Sequence, residues 1–223
     1  MKTYTVREYN NGDRFWLNEN GQLHREDGPA LELKNGRTAW YLNDVRQTDE
    51  ILVRHLIYIL WDDGLKYTDT LDTVVKSISN TAMYQDKLFN RRVGLSTSII
   101  LAALQQCLFL NKNVIILVNY EEHKQLLLHD LQRYALYIGN YQQNCDFNYS
   151  NSIHPFLKNI NIADTIKKKL QIISINNKSN CYSLYGRKFD LILGDNIHVT
   201  DEIIGIFKCK VRLFNTRFTS FSF

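Results

Sequence analysis

Two regimes of hydrophobic and polar positions divide the chain. Over the first fifty residues apolar positions come in short clusters broken by turn dipeptides: Asn11-Gly12, Asn20-Gly21, Asp27-Gly28, Asn35-Gly36 and Asn43-Asp44, whose starts lie seven to nine positions apart. Asn-Gly and Asp-Gly supply the positive φ that tight hairpins require. The segments between them, DRFWLNE, QLHRE, PALELK and RTAWYL, have the length of strands. This predicts a small antiparallel β-meander over residues 1–47, with a longer period of 24 in which Asn11-Gly12 and Trp16 match Asn35-Gly36 and Trp40.

Beyond the polar break Gln47-Thr48-Asp49-Glu50 the pattern changes to helical spacing alternating with buried strands. Ile51 to Trp61 reads as a helix ended by Asp62-Asp63-Gly64, and Asp69 to Ser79 as another, with Leu71, Val74, Val75 and Ile78 on one side. Ile99 to Leu110 and Glu121 to Tyr137 read as helices, and residues 139–165 as irregular and Asn-rich. NVIILVN (113–119), Leu170 to Ile175, Phe189 to Leu193 and Val211 to Phe214 read as strands, with Cys181 to Leu184 a further candidate. Such alternation predicts an α/β domain over residues 48–223 with a mostly parallel sheet.

The candidate chemistry lies at Asn90-Arg91-Arg92-Val93-Gly94-Leu95-Ser96-Thr97-Ser98. A basic pair runs into a glycine, then hydroxyl residues, then an apolar helix. A glycine lets the backbone approach an anion, the first helical turn presents free N–H groups, and a hydroxyl can hold Mg²⁺. Against the pattern GxxxxGK[ST], Gly94 and Ser96 fit, Phe89 replaces the first glycine and Leu95 the lysine. A glycine N-cap ahead of an ordinary buried helix explains the same residues about equally well. Arg91 could supply the charge of the missing lysine, or be a surface charge. Asp195 ends an apolar strand about a hundred residues later. That is where an acid would meet Mg²⁺ beside a phosphate turn, and also where an ordinary strand-end turn would lie.

Composition narrows the reading only a little. The apolar fraction is 44% and net charge +4, which permits a nucleic-acid partner without arguing for one. Lys167-Lys168-Lys169 reads as a solvated helix end that could also meet DNA phosphates. Cys107, Cys145, Cys181 and Cys209 are widely spaced, without metal or disulfide patterning. No N-terminal signal segment and no apolar run of about 20 residues is present, so a soluble, cytoplasmic protein with no membrane partner is expected.

Two resemblances sharpen these expectations. Gly21-Gln22-Leu23-His24-Arg25-Glu26-Asp27-Gly28-Pro29-Ala30, with Asn35-Gly36 and Trp40-Tyr41-Leu42-Asn43, resembles a phage-associated variant of the MORN repeat, which implies an interaction or structural module. Its tryptophans could stack on bases, but core positions of a small sheet are the commoner use; His24 and Arg25 read as turn and edge residues. From about residue 80 to 220 the chain is similar to the P-loop ATPase domain of phage terminase large subunits. Arg91 to Thr97 resembles their deviant Walker A, RQxGxST, and Asn111 to Leu131 their next strand and helix. Asn177-Lys178-Ser179 resembles their NGS element, Gly186 to Asp195 their acidic segment, and Leu213 to Thr216 their coupling strand.

The resemblance implies a P-loop ATPase type of sheet. It implies nucleotide contact by Arg91, Gly94, Ser96 and Thr97, Mg²⁺ on Ser96 and Asp195, and ATP as the ligand. Arg92 departs from the usual glutamine and Tyr185 from an arginine. Asn196 stands where a glutamate would orient water, and an amide cannot accept that proton. His198 reads as structural. Nothing after the coupling strand resembles the nuclease domain of packaging motors. The expectation is a degenerate domain with weak or absent ATP binding and little or no ATPase activity. It would act in the infected bacterial cytoplasm as an accessory protein with a phage or host protein partner. An active, DNA-linked packaging ATPase is the alternative.

Overall fold

The structure, a computed structural model, describes residues 4–26, 28–60, 64–90, 94–144, 155–157, 160–175, 188–197 and 209–216. Arg91, Arg92, the strand candidate at 181–184, Asn177-Lys178-Ser179, Tyr185 and His198 lie outside these residues, as do Cys145 and Asp62-Asp63.

The N-terminal meander is present. Its sheet runs β1 (Thr5–Glu8), β2 (Arg14–Leu17), β3 (Leu31–Glu32) and β4 (Thr38–Ala39), all antiparallel. A separate hairpin pairs β5 (Tyr41–Leu42) with β6 (Val45–Arg46) through Asn43 and Asp44, both at positive φ. QLHRE contributes only a single bridge, Leu23 to Leu17, while β1 falls outside the segments read as strands. Leu17 and Ala30 are the buried apolar residues here, so turn chemistry carries much of the order. Asn18 Oδ1 accepts from the Asn20 and Gln22 N–H groups, Asp13 Oδ1 from Lys34 N and Asp44 Oδ1 from Leu23 N. Arg25 lies 4.3 Å over the Trp16 ring. Trp40 is not core to this sheet: it meets Phe156 edge-on at 4.9 Å and packs, with Leu42, on the main core.

Two helices follow, α1 (Asp49–Ile59) and α2 (Asp69–Ser79), capped by the Thr48 and Thr68 hydroxyls. The α/β body continues with β7 (Tyr84–Phe89), α3 (Leu95–Leu108), β8 (Val114–Val118) and α4 (Glu121–Asn144). A 3₁₀ turn at Pro155–Leu157 precedes α5 (Ile162–Lys169), β9 (Leu170–Ser174), β10 (Leu191–Asp195) and β11 (Lys210–Thr216). The second sheet has the order β7-β11-β10-β8-β9, every pair parallel. The fold is therefore α/β, with a five-stranded parallel sheet and a small antiparallel sheet at the N-terminus. Among the described residues no helix is long and apolar enough to cross a membrane.

Side-chain alternation splits the core in two. Val114, Ile116, Val118, Leu191, Leu193 and Phe214 face the helices, while Ile115, Leu117, Ile192, Val211 and Leu213 form a second cluster on the other face. Helix α3 is buried nearly all round and packs against α1, α2, α4, α5 and the sheet. Its buried Gln105 and Gln106 donate to Asp49 Oδ1, and Lys112 Nζ donates to Gln106 Oε1 at 2.6 Å. Burial holds the Lys112 ammonium below its usual pKa.

Arg212 alternates with Phe214 toward the helical layer and is fully buried. Its guanidinium donates to five backbone carbonyls, those of Ser77, Asn80, Ala82, Met83 and Val211. Two of these close the end of α2, where the helix dipole favours a cation. The arginine thereby joins α2, the connection to β7 and β11. Replacing Arg212 by Met, which keeps the length but removes the donors, is expected to cost at least about 3 kcal/mol, because several buried carbonyls lose their partners. Thermal melting should then fall by roughly 6–12 °C, and Lys, with fewer donors, should recover only part. A melting curve unchanged by Met would remove the clamp from this account.

Candidate functional site

In a parallel sheet all strand carboxyl ends open on one edge. At that edge the chain leaving β8 continues to β9 on one side, while the chain leaving β10 continues to β11 on the other. Neighbouring strands whose continuations diverge leave a crevice between them, the usual ligand position in open α/β sheets. Asp195 ends β10 in this crevice, and Asn119, just beyond β8, donates its side-chain amide to the Asn196 carbonyl across it.

Asp195 follows Leu191 and Leu193 on the helical face and is completely buried. The residue before it must be small, since a Cβ on Gly194 would run into the Ile197 and Leu213 side chains. Asn196 holds a left-handed conformation, φ 52°. Its Nδ2 donates to Asp195 Oδ1 at 3.0 Å. Its Oδ1 accepts from both the N–H and the hydroxyl of Thr216, at 2.8 and 2.7 Å. The Asn196 amide is thus spent on fixing Asp195 and tying β10 to β11. A carboxylate there could not donate to Asp195.

The other carboxylate oxygen, Oδ2, is sealed from solvent and receives no hydrogen bond. What lies against it is His123 of the first turn of α4, with Nε2 at 3.2 Å. The contact has the distance of an ion pair. The same nitrogen lies 3.4 Å from Ser96 Oγ in the first turn of α3. Contact with Asp195 raises the His123 pKa above its usual value, while partial burial works the other way. Two helix N-termini nearby also oppose a cation, by about 0.3–1 kcal/mol each. A buried carboxylate is costly without a positive partner, which favours the protonated form of the imidazole.

Gly94 opens α3 at φ 71°, exposed, with open space where a side chain would be, and among the described residues no side chain caps the helix. The Ser98 hydroxyl bonds back to the Gly94 carbonyl. Thr97 is half-buried, and its hydroxyl has no partner among the described residues. Arg91 lies outside the described residues. Of the residues expected at the site, the structure thus places Gly94, Ser96 and Thr97 on one helix turn and joins Ser96 to Asp195 through His123. His123 was not among the sequence candidates. The available signal was its place: third in a helix that follows a fully apolar strand, which puts it at the carboxyl edge of the sheet. The lysines of 167–169 end α5, whose chain enters β9 directly, so they lie at the opposite edge of the sheet.

Ser, His and Asp here do not form a nucleophilic relay. That chemistry needs the serine on one ring nitrogen and the aspartate on the other. Here both contact Nε2. The set does not fit Mg²⁺ as folded either. That ion needs several oxygens at about 2.1 Å. Oδ2 lies sealed beneath the imidazole, so an ion reaches it only after His123 leaves. Among the described residues no cluster of three or more His, Cys, Asp or Glu is arranged to hold a metal.

Compared with models of protein families and with curated proteins, the chain matches none.

The raised His123 pKa has a stability sign. Protonation is favoured in the folded chain, so the contribution is complete below about pH 6.5, the unfolded value, and fades as pH rises through the higher folded value. An NMR titration of the His123 ring should give a midpoint above 6.5, and Asp195→Asn should lower it. A midpoint indifferent to Asp195→Asn would mean the pair is not formed.

Proposed function

We propose that this chain is a degenerate phosphate-turn protein. It holds the phosphate chain of a nucleotide such as ATP weakly at the first turn of α3, hydrolyses it little or not at all, and serves as a phage accessory factor through a protein partner. One observation carries the reading: Ser96, in the helix turn opened by Gly94, and Asp195, at the strand-divergence crevice, meet on a single imidazole nitrogen. Helix N-termini with free N–H groups favour phosphate, and Thr97 adds a hydroxyl without a partner among the described residues.

Support for the degenerate form comes from Asn196. Besides being an amide, it has both ends of its side chain engaged, so it neither accepts a proton nor orients water. Leu95, at the position of the usual lysine, is buried. The resemblance of the first fifty residues to MORN-type repeats supports an interaction role for the N-terminal module. The packaging-ATPase alternative loses a possible DNA contact, since the Lys167-Lys168-Lys169 run sits at the sheet edge away from the crevice.

Titration of labelled ATP in Mg²⁺ buffer tests this. Binding is expected near the millimolar end of the affinity scale, about −4 kcal/mol. Ser96→Ala and Asp195→Ala should each weaken it several-fold, and no DNA-stimulated turnover should appear. Robust turnover that depends on Ser96 and Asp195 would establish the packaging-type ATPase instead.

A further inference from the structure

We infer that His123 is the resident cation of this crevice: its ring takes the place between Ser96 and Asp195 that a divalent ion would occupy, so a polyphosphate chain is held at α3 without metal. This rests on the nucleotide-phosphate reading above and goes beyond it in naming what balances the ligand's charge.

The geometry points that way on three counts. Oδ2 of Asp195 is buried with no hydrogen-bond donor, and Nε2 of His123 is the positive group against it. Asp195 cannot turn to meet an ion elsewhere, because Asn196 holds Oδ1 and is itself anchored on Thr216. Lastly, His123 has a second donor to spare. Its side chain is 24% exposed, and Nδ1 has no partner among the described residues. One edge of the imidazolium answers the carboxylate and Ser96, leaving the other N–H for an anion.

Among the described residues the surrounding charges do not offer a substitute; Arg91 and Arg92 lie outside them. Glu121 shares the first turn of α4 but is engaged with Lys124 and Gln125, and that ion pair also occupies Lys124. The lysine of ordinary phosphate turns is Leu95 here. Among the described residues the cation within reach of Ser96 is therefore His123. Such an arrangement separates the roles of the acid. In a metal site the aspartate holds the ion that holds the phosphate; here it holds a side chain that does so.

Isothermal titration of the full chain with ATP and with sodium tripolyphosphate, each in EDTA and in Mg²⁺, tests the inference. The wild type is expected to bind both probes in EDTA as well as in Mg²⁺. His123→Ala and His123→Gln should weaken binding in EDTA by about tenfold or more, the scale of one charge-assisted hydrogen bond. His123→Lys, which keeps the charge, should stay within about threefold of wild type. Gln fills nearly the same space as His, and melting curves of all variants guard against a folding defect. Binding by the wild type only when Mg²⁺ is present overturns the inference and leaves the nucleotide reading standing. So does binding in EDTA that His123→Ala and His123→Gln do not change. No binding of either probe in either buffer defeats the nucleotide reading itself, and the inference with it.

Discussion

A carboxylate shut away from water must be compensated from within, and at Asp195 that requirement shapes everything around it. One oxygen is taken by the Asn196 amide, which is anchored in turn on Thr216 of the neighbouring strand. The other faces an imidazole brought in from the start of α4. Residues following β8 and β10 thus meet on one acidic group, and Ser96, in the helix after β7, joins them through His123. Parallel pairing makes this possible, because it delivers the carboxyl ends of these strands to a common edge.

The opposite end of the helical layer obeys the same rule with the sign reversed. Among the described residues Arg212 has no carboxylate partner and is satisfied by backbone carbonyls, including those that end α2. Asp49, at the start of α1, gathers the amides of Gln105 and Gln106 from the far end of α3. A largely apolar central helix is therefore pinned at both ends by polar groups with few alternatives. That fixes its register, and so fixes where its first turn presents Gly94, Ser96 and Thr97.

Much of this was legible in the chain itself, and the gaps have physical causes. The buried strands β8 and β10 announce themselves as continuous β-branched and leucine-rich runs, and helix α2 by its spacing. Gly94 and Asp195 could be singled out because a glycine before a helix and an acid after an apolar strand each have a positional meaning. Strand β7 escaped notice: as an edge strand it alternates exposed and half-buried residues, and YQDKLF reads as polar. Helix α5 is eight residues long inside a region rich in asparagine, one of which, Asn161, is its cap. His123 was invisible for a different reason. Nothing local marks a histidine as the partner of an aspartate seventy-two positions away; only the adjacency of β8 and β10 does. Trp40 likewise belongs by sequence to the small sheet and by contact to the large core.

The most direct measurement is a crystal structure with tripolyphosphate, at a resolution that places the ring nitrogens and hydroxyls. The account predicts His123 Nε2 against both Ser96 Oγ and Asp195 Oδ2, with phosphate density over the first turn of α3. A His123 ring turned away from Asp195, or phosphate bound elsewhere while that turn stays bare, would contradict it.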